Sequence, residues 1–177
     1  MFLAVSSNDT QLENFIETTI KQVTSYKVLD SKNHRLLKLN FFSAEKLITI
    51  SDNINKNYTL QKPFHYSDLM KIIYEIQHNY YEIIGDLTYY VSSGNIKYNN
   101  KSIWLSETQN TIMSSLVCYK EGIYKKDLYL DIWPRDKEIF ENKLDTHLTN
   151  LRNLIFDFSE YYLNFKTSKG KIKLDVN

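Results

Sequence analysis

The chain has 177 residues, with 22 lysines and arginines against 21 aspartates and glutamates, for a formal net charge of +1. That length holds one large or two small domains, and the near-balance excludes a strong global pull on nucleic acid. A single cysteine, Cys118, excludes an intrachain disulfide and is expected as a packed thiol.

In chain order, Phe2-Leu-Ala-Val5 reads as a short buried strand. Asn8-Asp9-Thr10 can cap a helix running to about Val23, with Leu12, Phe15, Ile16 and Ile20 inward. Strand-like runs come next at Tyr26 to Leu29, Leu36 to Phe42, Leu47 to Ile50 and Tyr58 to Leu60. Lys62-Pro63-Phe64 precedes a helix from about Ser67 to Tyr80 that buries Leu69, Ile72, Ile73 and Ile76. A helix set between strands predicts a small α/β layer with some parallel pairing. The join at Tyr80-Tyr81-Glu82 has almost no linker, so the segments on either side of it are expected to lie close.

Residues 83–105 read as short strands with turns at Ser93-Gly94-Asn95 and Asn99-Asn100. Ser106 and Gln109 form a capping box, and the helix they open is expected to bury Ile112, Met113, Leu116 and Val117. Gly122 ends the connection after that helix. Leu128, Ile132 and Trp133 mark the inner side of a second short helix, and Pro134 comes directly after it.

The stretch from Asn142 to Ile155 carries the most information. Read as a helix, it places Leu144, Leu148, Leu151 and Ile155 on one side. Asn142, Thr146, Thr149, Asn150 and Asn153 fall opposite, with Lys143 and Arg152 on the flanks. A ridge of amides and hydroxyls suits a DNA groove: Asn can pair two-pronged with adenine, and Thr offers a hydroxyl and a methyl. The plain alternative is an amphipathic helix with a solvated face, and abundant Asn elsewhere in the chain is compatible with that. Beyond it, Leu163, Phe165 and Thr167 alternate, Ser168-Lys169-Gly170-Lys171 is a turn signal, and Ile172 and Leu174 resume the alternation. This is a terminal β-hairpin whose Lys166, Lys169, Lys171 and Lys173 can grip a phosphate backbone.

On these residues, the segment from about 82 to 174 resembles the effector domain of OmpR/PhoB-type response regulators. Gly85-Asp86-Leu87, Leu105-Ser106, Leu128, Trp133, and the run holding Asp145, His147, Leu151 and Arg152 carry the resemblance. The hairpin matches by position more than by identity. The resemblance implies a four-stranded sheet, a three-helix core and a C-terminal wing, that is, an α+β winged helix-turn-helix domain over 82–177. It also implies that Arg135, Asp136, Lys137 and Glu138, in the loop before the third helix, can touch RNA polymerase. A merely solvated loop is the simpler expectation for them.

Residues 1–80 resemble an abridged, truncated receiver domain, the usual α/β partner of such effectors. Lys62-Pro63-Phe64 and Ser51 carry that likeness. A receiver needs carboxylates to hold Mg²⁺ and an Asp to accept the phosphoryl group. Here the acidic-pair position reads Ser6-Ser7, and Asn40 stands at the phosphoacceptor position. No phosphorylation site is therefore expected, and Lys62 and Ser51 are read as structural. Asp9 is expected to cap its helix.

Enzyme readings fare poorly. His34, His65, His78 and His147 show no metal-ligand spacing, and the glycines Gly85, Gly94, Gly122 and Gly170 are isolated. No metal, cofactor or catalytic residue is expected. No apolar run is long enough to span a bilayer, and Met1 to Val5 is too short for a signal peptide, so the cytoplasm is the expected location. The sequence thus predicts a DNA-binding transcription regulator independent of phosphorylation, dimeric through residues 67–80. The competing reading is a protein-interaction module that docks on RNA polymerase or another regulator without specific DNA binding.

Overall fold

A computed structural model of the chain describes residues 2–23, 27–28, 37–52 and 56–175. These form two compact units, 1–80 and 81–177. Tyr26, Leu29, His34 and Leu36, named above, lie outside the described residues.

The first unit runs β1 (Phe2–Ser7), α1 (Thr10–Val23), β2 (Lys27–Val28), β3 (Leu37–Ser43), β4 (Leu47–Asp52), β5 (Asn57–Gln61) and α2 (Tyr66–Asn79). Its five strands lie in the order β2-β1-β3-β4-β5. β1 is parallel to both β2 and β3, whereas β3, β4 and β5 pair antiparallel. The order matches flavodoxin-like sheets, but β4 runs in reverse. The reason is chain length: residues 44–46 alone join β3 to β4, too few for a parallel crossover.

Strict alternation makes one face of this sheet the core. Leu37, Leu39, Phe41, Ile48 and Ile50 are buried together with Ile16 and Ile20 of α1 and Leu69, Ile73 and Ile76 of α2. Lys38, Asn40 and Phe42 point to the other face and are exposed. Phe15 departs from expectation, being 49% exposed. One residue turns a helix by about 100°, which swings Phe15 off the Ile16–Ile20 line. Leu12 and Ile72 are half-buried rather than inward. Asp9 does cap α1, its carboxylate accepting from Gln11 N at 3.0 Å and Leu12 N at 3.2 Å.

The second unit opens with β6 (Tyr81–Ile84), β7 (Leu87–Tyr90), β8 (Asn95–Tyr98) and β9 (Lys101–Trp104), a four-stranded antiparallel meander. Gly85-Asp86 proves to be the turn between β6 and β7. Then come α3 (Glu107–Cys118), β10 (Ile123–Tyr124), α4 (Lys125–Ile132), α5 (Glu141–Ser159), β11 (Asn164–Ser168) and β12 (Lys171–Asp175). The capping box of α3 is complete: Gln109 N donates to Ser106 Oγ at 3.3 Å, and Ser106 N to Gln109 Oε1 at 2.9 Å. Ile112, Met113, Leu116 and Val117 are buried, as the periodicity predicts.

In α4, Leu128 and Tyr129 form the buried side, while Ile132 and Trp133 are half-buried. β10, β12 and β11 make a three-stranded sheet in that order. Gly122, at φ +81°, lies under it, where an added Cβ would stand 2.9 Å from the Ile172 carbonyl oxygen. Only glycine fits so close a backbone approach at that dihedral.

Candidate nucleic-acid interface

α5 begins and ends about where its pattern predicts, extended to Ser159 and stopped by Glu160 at φ 59°. Leu144, Leu148, Leu151 and Ile155 are all buried. Asn142, Thr146, Thr149, Asn150 and Asn153 fall on the opposite side, with Asn142, Asn150 and Asn153 exposed. The two threonines are partly committed: Thr146 Oγ1 donates to the Asn142 carbonyl at 2.8 Å, and Thr149 Oγ1 to the Asp145 carbonyl at 2.9 Å. What they present outward is an acceptor lone pair and a methyl. The side-chain amides of Asn142, Asn150 and Asn153 make no hydrogen bond among the described residues, so their donors and acceptors face water.

The helix's two flanking cations each have a partner within the chain. Lys143 Nζ donates to Asp136 Oδ2 at 2.9 Å and lies 4.1 Å from the Trp133 ring centroid. Arg152 Nε donates to the Leu163 carbonyl at 3.0 Å, and its guanidinium sits 5.2 Å from the Tyr162 ring and 5.1 Å from the Phe165 ring. Arg152 therefore straps the start of the hairpin to α5. Lys125 Nζ is paired with Asp145 at 2.7 Å, which ties α4 to α5. A sequence scan misses these pairings because the partners lie 7 to 20 residues apart.

The hairpin holds its cations on one face. Phe165 pairs with Leu174 and Thr167 with Ile172 on the inner side; Lys166 pairs with Lys173 and Ser168 with Lys171 on the outer side. Lys169 and Gly170 form the two-residue turn, both at positive φ, 49° and 76°, the dihedral pattern that suits strand twist. The outer face bounds a cleft of about 370 Å³ lined by Lys166, Lys169, Lys171 and Lys173, with Tyr124 and Glu121. Lys166 is paired with Asp175 at 2.5 Å, and Lys171 lies 4.9 Å from the Tyr124 ring centroid. Lys169 and Lys173 make no ion pair or hydrogen bond among the described residues. Tyr124 is a member of this face that the sequence pattern does not single out. It sits beside Ile123 in a two-residue strand, too short to leave a periodic signal.

Between α4 and α5, Arg135, Lys137 and Glu138 belong to an open loop. Asp136 is not a free loop acid. It accepts from Lys143 and also from the buried Tyr129 hydroxyl at 2.6 Å. The Lys143 ammonium, and then the Tyr129 hydroxyl, hold its carboxyl below the usual range. Burial, joined by the bond to Asp136, raises the Tyr129 phenol.

In the first unit, Ser6 Oγ donates to Asn40 Oδ1 at 2.7 Å across the β1–β3 pair. Asn8 Nδ2 donates to the Ser43 carbonyl at 3.1 Å, and Ser43 N to Asn8 Oδ1 at 2.7 Å. Lys62 Nζ donates to Ser43 Oγ at 2.6 Å and to the Ala44 carbonyl at 2.9 Å, so it braces the β3–β4 turn. Ser51 is half-buried and faces Asn40 in register. The oxygens of Ser6, Asn8, Asn40, Ser43 and Ser51 are neutral, so they hold a hard dication more weakly than carboxylates do. No group of three His, Cys, Asp or Glu able to hold a metal exists among the described residues. Cys118 is buried, and burial pushes its thiol up to about 12, a poor setting for thiolate chemistry. Among the described residues no helix is long and apolar enough to cross a membrane.

No protein-family model matches the chain, and no curated protein matches it. Solved structures do. It is similar to the DNA-binding domain of E. coli CadC at 18% identity and TM-score 0.46, over 54% of this chain and 91% of that one. It is similar to the C-terminal domain of the nisin resistance regulator NsrR, a lantibiotic response regulator, at 27% identity and TM-score 0.41, over 54% and 98%. Over 98% of its length and 67% of the other chain it is similar, at 13% identity and TM-score 0.44, to a member of a streptococcal redox-sensor family evolved from two-component response regulators.

Proposed function

We propose that the chain is a sequence-specific DNA-binding transcription regulator whose second unit is a winged helix-turn-helix domain. The observation that carries this is the ridge of α5, where three asparagine amides stand exposed and unbonded above a fully buried leucine stripe. A ridge of that kind fits the major groove, with Asn142, Asn150 and Asn153 reading base edges and Thr146 and Thr149 offering acceptors and methyls. The hairpin supplies the phosphate grip, through Lys169 and Lys173 first and through Lys166 and Lys171 once their present neighbours yield. Near-neutral net charge makes the affinity modest. A homodimer through α2, which exposes Tyr66 and Tyr74, would double the contacts over two half-sites.

In this reading the first unit is a receiver-like domain that does not accept a phosphoryl group. Asn40 and its hydroxyl and amide neighbours support that, because an amide cannot take the phosphoryl group and these neutral oxygens are weaker metal ligands than carboxylates. Selection of bound duplexes from a random pool at two salt concentrations tests the proposal. Enrichment of a defined, A·T-containing site that persists at the higher salt is expected. Recovery of unenriched DNA would refute base readout.

One observation favours a second reading, a module that docks on RNA polymerase or another regulator. Both cations of α5 are engaged internally, while Arg135, Lys137 and Glu138 lie on the neighbouring open loop. Under it, polymerase binding would survive in a chain that enriches no DNA site, and Arg135→Ala with Lys137→Ala would abolish it.

A further inference from the structure

We infer that Asp136 and Lys143, with Tyr129 and Trp133, form a clamp that positions the first turn of α5, so that Lys143 is a positioning residue rather than a phosphate contact. The inference rests on the DNA-binding reading above.

The first turn of α5, like those of α2 and α4, has no side-chain cap. Its N-cap is Phe140, whose side chain accepts no hydrogen bond from the helix, so the orphan amides there lack their common partner. It also carries Lys143, a cation at the end of a helix where the dipole disfavours one. The Asp136 carboxylate answers the second problem directly, at 2.9 Å from the ammonium. It is itself anchored, because the Tyr129 hydroxyl that donates to it at 2.6 Å belongs to a residue only 1% exposed. Trp133 closes the arrangement, lying 4.1 Å from Lys143 Nζ, 4.7 Å from the Tyr129 ring and 5.2 Å from the His147 ring. Thus the last turn of α4, the loop and the first two turns of α5 are tied by one charge-assisted network over aromatic walls. Asn142 and Thr146, on the proposed groove side, flank Lys143 in that same stretch.

Electrostatics alone and the clamp predict opposite signs for one substitution. Asp136→Asn removes a negative charge and releases Lys143, so a phosphate-contact role for Lys143 predicts tighter DNA binding. The clamp predicts weaker binding to a selected site, by about three- to tenfold. Lys143→Met should weaken binding by a similar factor while leaving the slope of log affinity against log salt unchanged. A direct phosphate contact would lower that slope by roughly 0.9. The double variant should be no worse than either single one. Tyr129→Phe, which removes only the hydroxyl, should act in the same direction and guards against loss of fold.

The whole 177-residue chain is used throughout, with amide exchange at residues 142–146 as a readout independent of DNA. Faster exchange confined to that turn in Asp136→Asn is expected. Tighter binding in Asp136→Asn, a lowered salt slope in Lys143→Met, or unchanged exchange would overturn the clamp. If the wild-type chain enriches no DNA, the functional reading falls while the exchange result still decides the clamp.

Discussion

On α5 the two cations are turned to internal use, Lys143 by Asp136 and Arg152 by the Leu163 carbonyl. On the β11–β12 hairpin, Lys169 and Lys173 make no ion pair or hydrogen bond among the described residues, and they line a cleft with Tyr124. Position explains the contrast. α5 is bordered by a loop and a strand, so a long cationic side chain on its flank meets carboxylate, carbonyl or ring before it meets solvent. On the hairpin's outer face Asp175 takes Lys166 and the Tyr124 ring takes Lys171, which leaves Lys169 and Lys173 without an ion pair or hydrogen bond among the described residues. Under the proposed function the two tasks would be separate, with neutral groups on the helix for discrimination and cations on the hairpin for attraction. Base contacts specify and phosphate contacts position, and here the two would come from different elements.

This division can be broken at four points. The largest effect is expected at the support of the ridge. Leu151 is fully buried, and Leu151→Ala should cost about 2–5 kcal/mol of stability, measured by urea unfolding of the full chain. A loss below about 1 kcal/mol would mean that α5 is not the centre of its core. Next is the ridge itself. Asn150→Ala should weaken binding to the selected site by about 1–3 kcal/mol and change unfolding stability by less than about 0.5 kcal/mol. Unchanged affinity would remove Asn150 from the interface.

Third is the hairpin. Lys169→Ala with Lys173→Ala should lower the salt slope by about 2 and weaken selected and scrambled duplexes equally. A loss restricted to the selected site would move base readout onto the wing and erase the division. The smallest effect concerns pH. Lys166 holds the Asp175 carboxyl below its ordinary range, by hydrogen bond first and charge second. A carboxyl depressed in the folded state adds stability that is present above the unfolded value, near 4, and is lost as pH falls through the folded one. The protection of the hairpin amides, taken relative to the intrinsic exchange rate at each pH, should stay level from neutral pH down to that range and then fall. Lys166→Met should flatten the acid limb, and an unaltered limb would show that the pair contributes nothing to the hairpin.

Much of the fold could be read along the chain wherever the signal is local. The Ser106–Gln109 capping box, the Leu144–Ile155 stripe and the Ser168–Lys171 turn depend on residues within one or two turns of one another. Asp9 as a helix cap is of the same kind. Phe15 departs from its expected place because it sits one residue from a buried position, and a helix converts that step into a large rotation. The hydrophobic pattern of β4 shows a strand but carries no information on direction, which the three-residue link from β3 decided.

Periodicity and capping chemistry thus determined by themselves most helices and strands, though not β10, as well as which side of α5 is apolar and that amides and hydroxyls occupy the other. Only the tertiary structure decided which charges remain available. Lys143, Arg152, Lys169 and Lys173 are alike as sequence, yet two are bound inward and two stand open. The physical reason is that a helix or hairpin is specified by neighbours along the chain, whereas the fate of a charge is set within a few ångströms in space, where residues 7 to 11 positions away can arrive first.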